Sequence, residues 1–204
     1  TGSAGKTFSG PQSGMILWND PDLTRPLTEA IFPVLVATHQ VNRVAALAVS
    51  AAEMLEFGNQ YMAQIVKNSQ ALAKALESRG INILGAHRGY SKTHQVIANV
   101  KEFGGGMEVA AKLAMANIIT NKNLIPADGP EDWDRPSGLR MGTIEITRLG
   151  LMENDMNTIA DFFERVLVKE ENPATVARDV EDFRLPLQKF YYSFDHGWPN
   201  SRTS

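Results

Sequence analysis

Lys6 is the first residue in the chain whose type and setting could do chemistry, because it stands in a short loop between glycines. Residues 1–11 have the sequence TGSAGKTFSGP. A lysine held in such a loop can clamp a phosphate group, or it can form a Schiff base with an aldehyde if its amine is desolvated. A single lysine is otherwise most often a solvated side chain. The remaining sequence has to separate these alternatives.

The phosphate-clamp alternative fits the sequence poorly. A P-loop requires a glycine, four residues and then Gly-Lys-Ser/Thr, with a strand before it and a helix after it. Residues 5–7 supply only the last three positions, and Pro11 and Gly14 follow where the helix would run. Proline lacks a backbone N–H, and each glycine costs a helix about 1 kcal/mol. The Schiff-base alternative needs a buried strand close to the lysine, and residues 15–18 (MILW) are expected to form it.

The composition limits the class of protein. The chain has 204 residues, of which 43% are hydrophobic and 21% charged, so it can bury one good core or two small ones. A net charge of -3 and the lack of a basic stripe argue against a nucleic-acid partner. Without cysteine there is no disulfide or thiolate nucleophile, and no histidine pair has metal-ligand spacing. Apolar runs are too short to cross a membrane.

The start of the chain leads to two further expectations. No signal-peptide pattern opens it, so we expect a cytoplasmic location with no membrane partner. The sequence begins at Thr1, and the loop that contains Lys6 lies at its N-terminal end, so we expect the chain to be the continuation of a longer protein.

Strands and helices are expected to alternate along the chain, which indicates an α/β fold. Helices are expected over residues 40–57, where Gly58 would end the helix, and over 60–78, 107–116, 152–169 and 173–184. Strands are expected over residues 81–84, 95–100, 118–119 and 139–147, with a polar loop over 121–128 and an irregular tail over 186–204.

Arg140 lies in the middle of an apolar strand with glycines nearby, in the sequence SGLRMGT over residues 137–143. An arginine in that position must be paired, and a substrate carboxylate held by two parallel N–H bonds is one suitable partner. An internal ion pair is the alternative. His39 and His94 could each transfer a proton, although a lone histidine is more often structural.

In this order, the segments resemble the C-terminal half of the serine hydroxymethyltransferase family, which consists of pyridoxal-phosphate enzymes of fold type I that interconvert serine and glycine. The resemblance covers roughly residues 1–169. The matching segments are Lys6-Thr7-Phe8, Gly10-Pro11, Phe32-Pro33, Ala45 to Ala48, Gln64 to Asn68, Ala71 to Ala73, Asn121 to Asn123 with Pro126, Gly138 to Thr143, Asp155-Met156 and Ile159-Ala160.

The resemblance implies the fold, the domains and the site. Residues 1–58 would be the end of the large pyridoxal-phosphate-binding domain, and residues 59–204 the small C-terminal α/β domain. Lys6 would be the catalytic residue that binds the cofactor covalently, and Ser3 and His39 would contact the cofactor, His39 near a subunit interface. Arg140 would bind the substrate carboxylate. An N-terminal half of the same enzyme would have to complete the site, within a homo- or hetero-oligomer.

The resemblance also implies a reaction at the Cα–Cβ bond of serine, threonine or glycine through a glycyl quinonoid. Two departures stand out: Ala4-Gly5 replaces the family's Thr-His, and Val36 to His39 replaces a Gly-Gly turn. Residues 92–96 and the tail from Pro186 are more similar to the family's threonine transaldolase branch, which uses an aldehyde where the hydroxymethyltransferases use tetrahydrofolate. A non-catalytic companion subunit or a fragment is the alternative function.

Overall fold

The computed structural model describes residues 1–199, which contain both helices and a sheet and divide into two compact units. The first unit is Thr1–Gly58, and the second begins at Asn59. None of the helices in the described residues is both long enough and apolar enough to span a membrane.

The first unit begins with a small antiparallel hairpin and continues with helical segments. The hairpin consists of β1 (Gly2–Ser3) and β2 (Gly14–Met15). A 3-10 turn (Pro21–Leu23), α1 (Thr24–Glu29) and a π-helical segment (Ala30–Leu35) follow, and then the long helix α2 (Val41–Glu77) begins.

The strand expected over residues 15–18 is wrong beyond Met15. Pairing within residues 1–58 stops at Met15, and the side chain of Leu17 is 86% exposed. An apolar run shows β-propensity, but it forms a strand only where another backbone offers hydrogen bonds. In this chain residues 16–18 have no such neighbour strand among the described residues.

The two helices expected on either side of Gly58 are one continuous helix, α2. Gly58 does not end it, although a glycine inside a helix costs about 1 kcal/mol relative to alanine. The residues on both sides are rich in alanine, leucine, methionine and glutamate, which favour helix strongly enough to offset that cost.

The second unit is built on a four-stranded antiparallel sheet with strand order β3-β4-β6-β5. The strands are β3 (Asn82–Ile83), β4 (Gln95–Asn99), β5 (Asn121–Asn123) and β6 (Gly138–Gly142). The helices are α3 (Gly106–Met115), α4 (Ile144–Arg148), α5 (Asp155–Leu167) and α6 (Pro173–Arg184). Short 3-10 turns lie at Ala86–Arg88, Lys101–Phe103 and Pro130–Trp133.

One face of this sheet forms the core together with the helices. The strands contribute Val96, Ala98, Leu139 and Met141, all buried. The helices contribute apolar side chains at helical spacing, among them Leu72, Leu76, Val109, Leu113, Met156, Ala160, Phe163 and Val166. The expected helices around α3, α5 and α6 are confirmed, and in α5 the apolar stripe that predicts the helix is the stripe that it buries.

Two expected strands need correction. Residues 118–119 are not a strand, and the polar residues 121–123 are. An edge strand needs only its backbone groups to pair, so polar side chains do not prevent it. Gly138 permits the approach, because a Cβ there would overlap the Asn123 carbonyl oxygen and the Ile125 side chain. The strand expected to run to residue 147 ends at Gly142, where α4 follows.

The tail from residue 186 contains no helix or strand within the described residues, only an isolated bridge between Ser193 and Gly197. It is nevertheless packed on the second unit. The Tyr192 ring stacks on Tyr61 with 4.9 Å between centroids, and the Tyr191 ring occupies the space that a side chain at position 150 would need.

Candidate functional site

Lys6 lies in the turn that joins the two strands of the hairpin. The Ala4 N–H donates to the Ser13 carbonyl, the Gly10 N–H donates to the Ala4 carbonyl and the Ser9 N–H donates to the Lys6 carbonyl, each at 2.9 Å. Ala4 is completely buried. These bonds constrain the loop backbone and leave the lysine side chain exposed.

Ser3 and Lys6 line the same open depression of the first unit, together with Gln12 and Arg43. Arg43 reaches it from α2, where its Nη1 donates to the Gln12 carbonyl oxygen at 3.0 Å. The depression therefore combines an amine, a hydroxyl and a guanidinium. Such a set fits an aldehyde that carries a phosphate group, since the amine can condense with the aldehyde and the other two groups can bind an anion.

His39 does not line this depression within residues 1–58. Its imidazole is exposed and stacks on the Phe32 ring, with 5.2 Å between centroids and 16° between planes. The fold of the first unit therefore brings Ser3 and Lys6 together and holds His39 separately. Its role at a subunit interface stays a prediction.

Arg140 lies on the sheet face that points away from the core of the second unit. It stands opposite Ile97 on β4 and Asn121 on β5, whereas Leu139 and Met141 on either side of it are buried. Arg140 is half-buried, and none of the carboxylates in residues 1–199 forms an ion pair with it. The internal ion pair considered from the sequence is therefore absent from this part of the chain.

His94 is the titratable neighbour of Arg140. Burial lowers the pKa of the His94 imidazole, and the positive charge of Arg140 lowers it further. Its ring lies close to Gly142, where an added Cβ would be 3.6 Å from its Cδ2 atom. The Thr143 N–H donates to the His94 carbonyl oxygen at 3.1 Å, and the Thr143 hydroxyl donates to the Ile65 carbonyl oxygen at 3.0 Å. The lowered pKa favours the neutral form of the imidazole beside the guanidinium.

A buried polar cluster, for which no role was expected, supports the segment after β6. Asn68 on α2 donates from Nδ2 to the Thr147 hydroxyl and to the Leu151 carbonyl, both at 2.8 Å. Gln64, one turn earlier, donates to Asn68 and to Glu153. The signal was available, because two amides four residues apart in an apolar helix need internal partners.

Metal-binding clusters of three or more histidine, aspartate or glutamate side chains do not occur among residues 1–199.

Comparison with known proteins gives a consistent result. The family model described as serine hydroxymethyltransferase matches residues 1–163. The serine hydroxymethyltransferase of Pyrococcus horikoshii is 48% identical over 204 residues, which are 98% of this chain and 48% of that protein. The enzyme of Methanocella arvoryzae is 48% identical over 195 residues, 96% of this chain and 46% of the relative. The chain thus spans about half the length of the curated relatives it matches.

A solved structure also matches. The crystal structure of L-threonine transaldolase from Pseudomonas fluorescens in its internal aldimine state superposes with a TM-score of 0.82 at 29% identity. The match covers 95% of this chain and 44% of that one. The fold is therefore that of the C-terminal part of a fold type I pyridoxal-phosphate enzyme.

Proposed function

The chain belongs to the serine hydroxymethyltransferase family, and we propose that it contributes to a pyridoxal-phosphate-dependent transferase acting on the Cα–Cβ bond of β-hydroxy amino acids. One observation carries the proposal. Arg140 is half-buried, and in residues 1–199 it has no carboxylate partner. A partly desolvated guanidinium binds an anion well, and the carboxylate of an amino acid can accept two parallel N–H bonds from it.

The proposed roles of the residues come from the resemblance to the family. Lys6 would bind the cofactor aldehyde through its amine, and Ser3 would contact the cofactor in the same depression. Arg140 would fix the amino acid by its carboxylate. When bound, pyridoxal phosphate supplies an electron sink for the bond that breaks. The glycine-derived carbanion implied by the resemblance, a cytoplasmic location and a cofactor contact from His39 are parts of this proposal.

The proposal includes an N-terminal part of the same enzyme as partner, within an oligomer. The first half of α2 exposes Val41, Val44, Val49 and Leu55, and the preceding segments expose further apolar side chains at residues 34–36. Exposed apolar faces of this kind mark surfaces that bind another protein segment in the functional assembly. We expect the enzyme to be active only when that surface is present.

Transfer to an aldehyde is the second candidate for the reaction. The likeness to the transaldolase structure favours it, as does Ala4, which is completely buried and has no hydroxyl to offer beside Lys6. The identity of 48% to serine hydroxymethyltransferases favours transfer to tetrahydrofolate. Two assays of the assembled enzyme separate these reactions. In the first, the enzyme receives threonine and an aromatic aldehyde without folate, and a new β-hydroxy amino acid supports the transaldolase. In the second, it receives serine with and without tetrahydrofolate, and cleavage that requires tetrahydrofolate supports the hydroxymethyltransferase.

Borohydride trapping tests the catalytic role of Lys6. The chain is assembled with its N-terminal part and pyridoxal phosphate, reduced with borohydride and digested, because reduction makes a Schiff base permanent. We expect the peptide that contains Lys6 to carry the cofactor mass. The label should disappear in Lys6→Ala and remain in Lys92→Ala, an exposed loop lysine of the second unit. A label on another lysine, or none, would favour a non-catalytic companion subunit.

A further inference from the structure

The side chain of Asn121 contacts the guanidinium of Arg140. It lies on the edge strand β5, directly opposite Arg140 in the antiparallel register. With its amide oriented so that both atoms meet complementary partners, Asn121 donates from Nδ2 to the Arg140 carbonyl oxygen at 3.2 Å. Its Oδ1 accepts from Arg140 Nη2 at 3.1 Å. The amide thus joins the backbone of Arg140 to the end of its side chain.

This contact restricts a side chain that is otherwise free to rotate. Arginine has about 2 kcal/mol of rotamer entropy, and most of it must be lost when the guanidinium binds a carboxylate in the bidentate geometry. Opposite residues of an antiparallel pair have Cβ atoms about 5 Å apart, so the backbone fixes the distance between the amide and the arginine stem. The rotational freedom is therefore reduced before any ligand arrives.

The contact also leaves donors available. A guanidinium has five N–H groups, and the amide accepts from Nη2 only. A neutral amide holds the group without cancelling its charge, whereas a carboxylate in the same position would neutralise it. The arrangement therefore orients the cation and keeps it able to bind an anion.

We propose that Asn121 is a positioning residue that orients the guanidinium of Arg140 for the substrate carboxylate. The inference rests on the proposed function of Arg140 and adds a second residue to it. This role of Asn121 could not be recognised from the sequence, because Asn121 belongs to a polar segment that was expected to be a solvated loop. Its importance becomes visible only when β5 pairs with β6.

The first test observes the guanidinium directly in this chain, without cofactor. Rotation about the Nε–Cζ bond is followed by NMR of the Arg140 side-chain nitrogens. Hindered rotation is expected in the natural chain and in Asn121→Asp, which keeps an acceptor, and fast rotation in Asn121→Ala. The matched control is Asn82→Ala, an exposed asparagine on the other edge strand of the same sheet. Equal rotation in the natural chain and Asn121→Ala overturns the inference.

The second test measures the KM for serine in the assembled enzyme loaded with pyridoxal phosphate. Asn121→Ala should raise KM about 10-fold with little change in kcat, as expected when a hydrogen bond to a charged group is lost. Asn121→Asp should raise KM further, because its negative charge competes with the substrate for Arg140. If Arg140→Ala raises KM and Asn121→Ala does not, the positioning role is wrong and the function of Arg140 stands. If Arg140→Ala leaves KM unchanged, the proposed function of Arg140 is wrong.

Discussion

The first unit holds Lys6 by hydrogen bonds within a short hairpin, whereas the second unit holds Arg140 on a sheet that packs on a hydrophobic core. Between residues 1 and 50, all of which the structure describes, Ala4 is the one buried residue. In the second unit each of the strands β4 and β6 has buried side chains on one face, joined in a core with helices α3 and α5.

The two units differ in how much folding free energy each obtains from its own buried apolar side chains. Burial of apolar area is the main source of folding free energy, at about 25 cal/mol per Å². The second unit has such a core, and the first exposes Val34 at 75% and Leu55 at 90%. The geometry around Arg140 is therefore maintained by the chain itself, and the geometry around Lys6 depends on additional contacts that we propose come from the N-terminal part of the enzyme.

Hydrogen exchange should show the largest contrast between the two units. The Val100 N–H donates to the Ser137 carbonyl next to the core, and the Ala4 N–H donates to Ser13 in the hairpin, both at 2.9 Å. Similar bonds should exchange at very different rates, because opening the core requires global unfolding and opening the hairpin does not. We expect protection of at least about 10⁴-fold at Val100 and at most about 10²-fold at Ala4.

The N-terminal part of the enzyme provides the control for this measurement. Its addition should raise the protection of Ala4 and leave Val100 nearly unchanged. Equal protection of the two amides in the chain alone would contradict the comparison, since it would mean that the first unit unfolds only with the second.

Two leucine-to-alanine variants test the same contrast by stability. Leu139 is 1% exposed in the core, and its truncation should lower the free energy of unfolding by about 2 to 5 kcal/mol. Leu17 is almost fully exposed, and its truncation should change that free energy by less than about 0.5 kcal/mol. Denaturant unfolding followed by circular dichroism measures both, and a large effect of Leu17→Ala would show a core in the first unit.

The same distinction explains how much of the fold the sequence could predict. The apolar spacing of α5 predicts that helix, because the residues that carry the pattern pack on nearby elements of the same unit. The run over residues 15–18 has an equally apolar composition, yet a strand also needs a partner backbone, which local sequence does not contain. The expectation that Gly58 ends a helix was wrong, because one unfavourable residue does not end a helix when the residues on both sides favour it.

The candidate site shows a similar division. Lys6 and Arg140 could be selected as candidates from the sequence alone. Lys6 is a lysine in a loop between glycines, and Arg140 is an arginine in an apolar strand with glycines nearby. Asn121 could not be selected in this way, because its role depends on a partner 19 residues away. Gln64 and Asn68 signal a need for internal partners, but the sequence does not show that Thr147, 79 residues from Asn68, is one of them. Polar residues of this kind gain a function from pairing across the fold, and single-sequence patterns do not include that pairing.

The smallest expected effect concerns alkaline pH and Tyr192. Burial, with smaller contributions from Tyr61 and Glu153, raises the pKa of the Tyr192 phenol to about 12. Its pKa in the unfolded chain is about 10, so the folded state favours the neutral phenol. This contribution to stability is complete below about pH 10 and is lost as the pH rises towards about 12.

Tyr192→Phe should therefore make stability less dependent on pH in this range, by about 1 to 3 kcal/mol, while it keeps the ring that stacks on Tyr61. Unfolding free energies measured across the alkaline range test this, with Tyr191→Phe as the matched control. The first unit contains no tyrosine, so a loss of stability caused by tyrosine ionisation belongs to the second unit. A pH dependence that is the same in Tyr192→Phe and in the natural chain would mean that the phenol is not buried against the second unit. The tail would then not belong to the stable part of that unit.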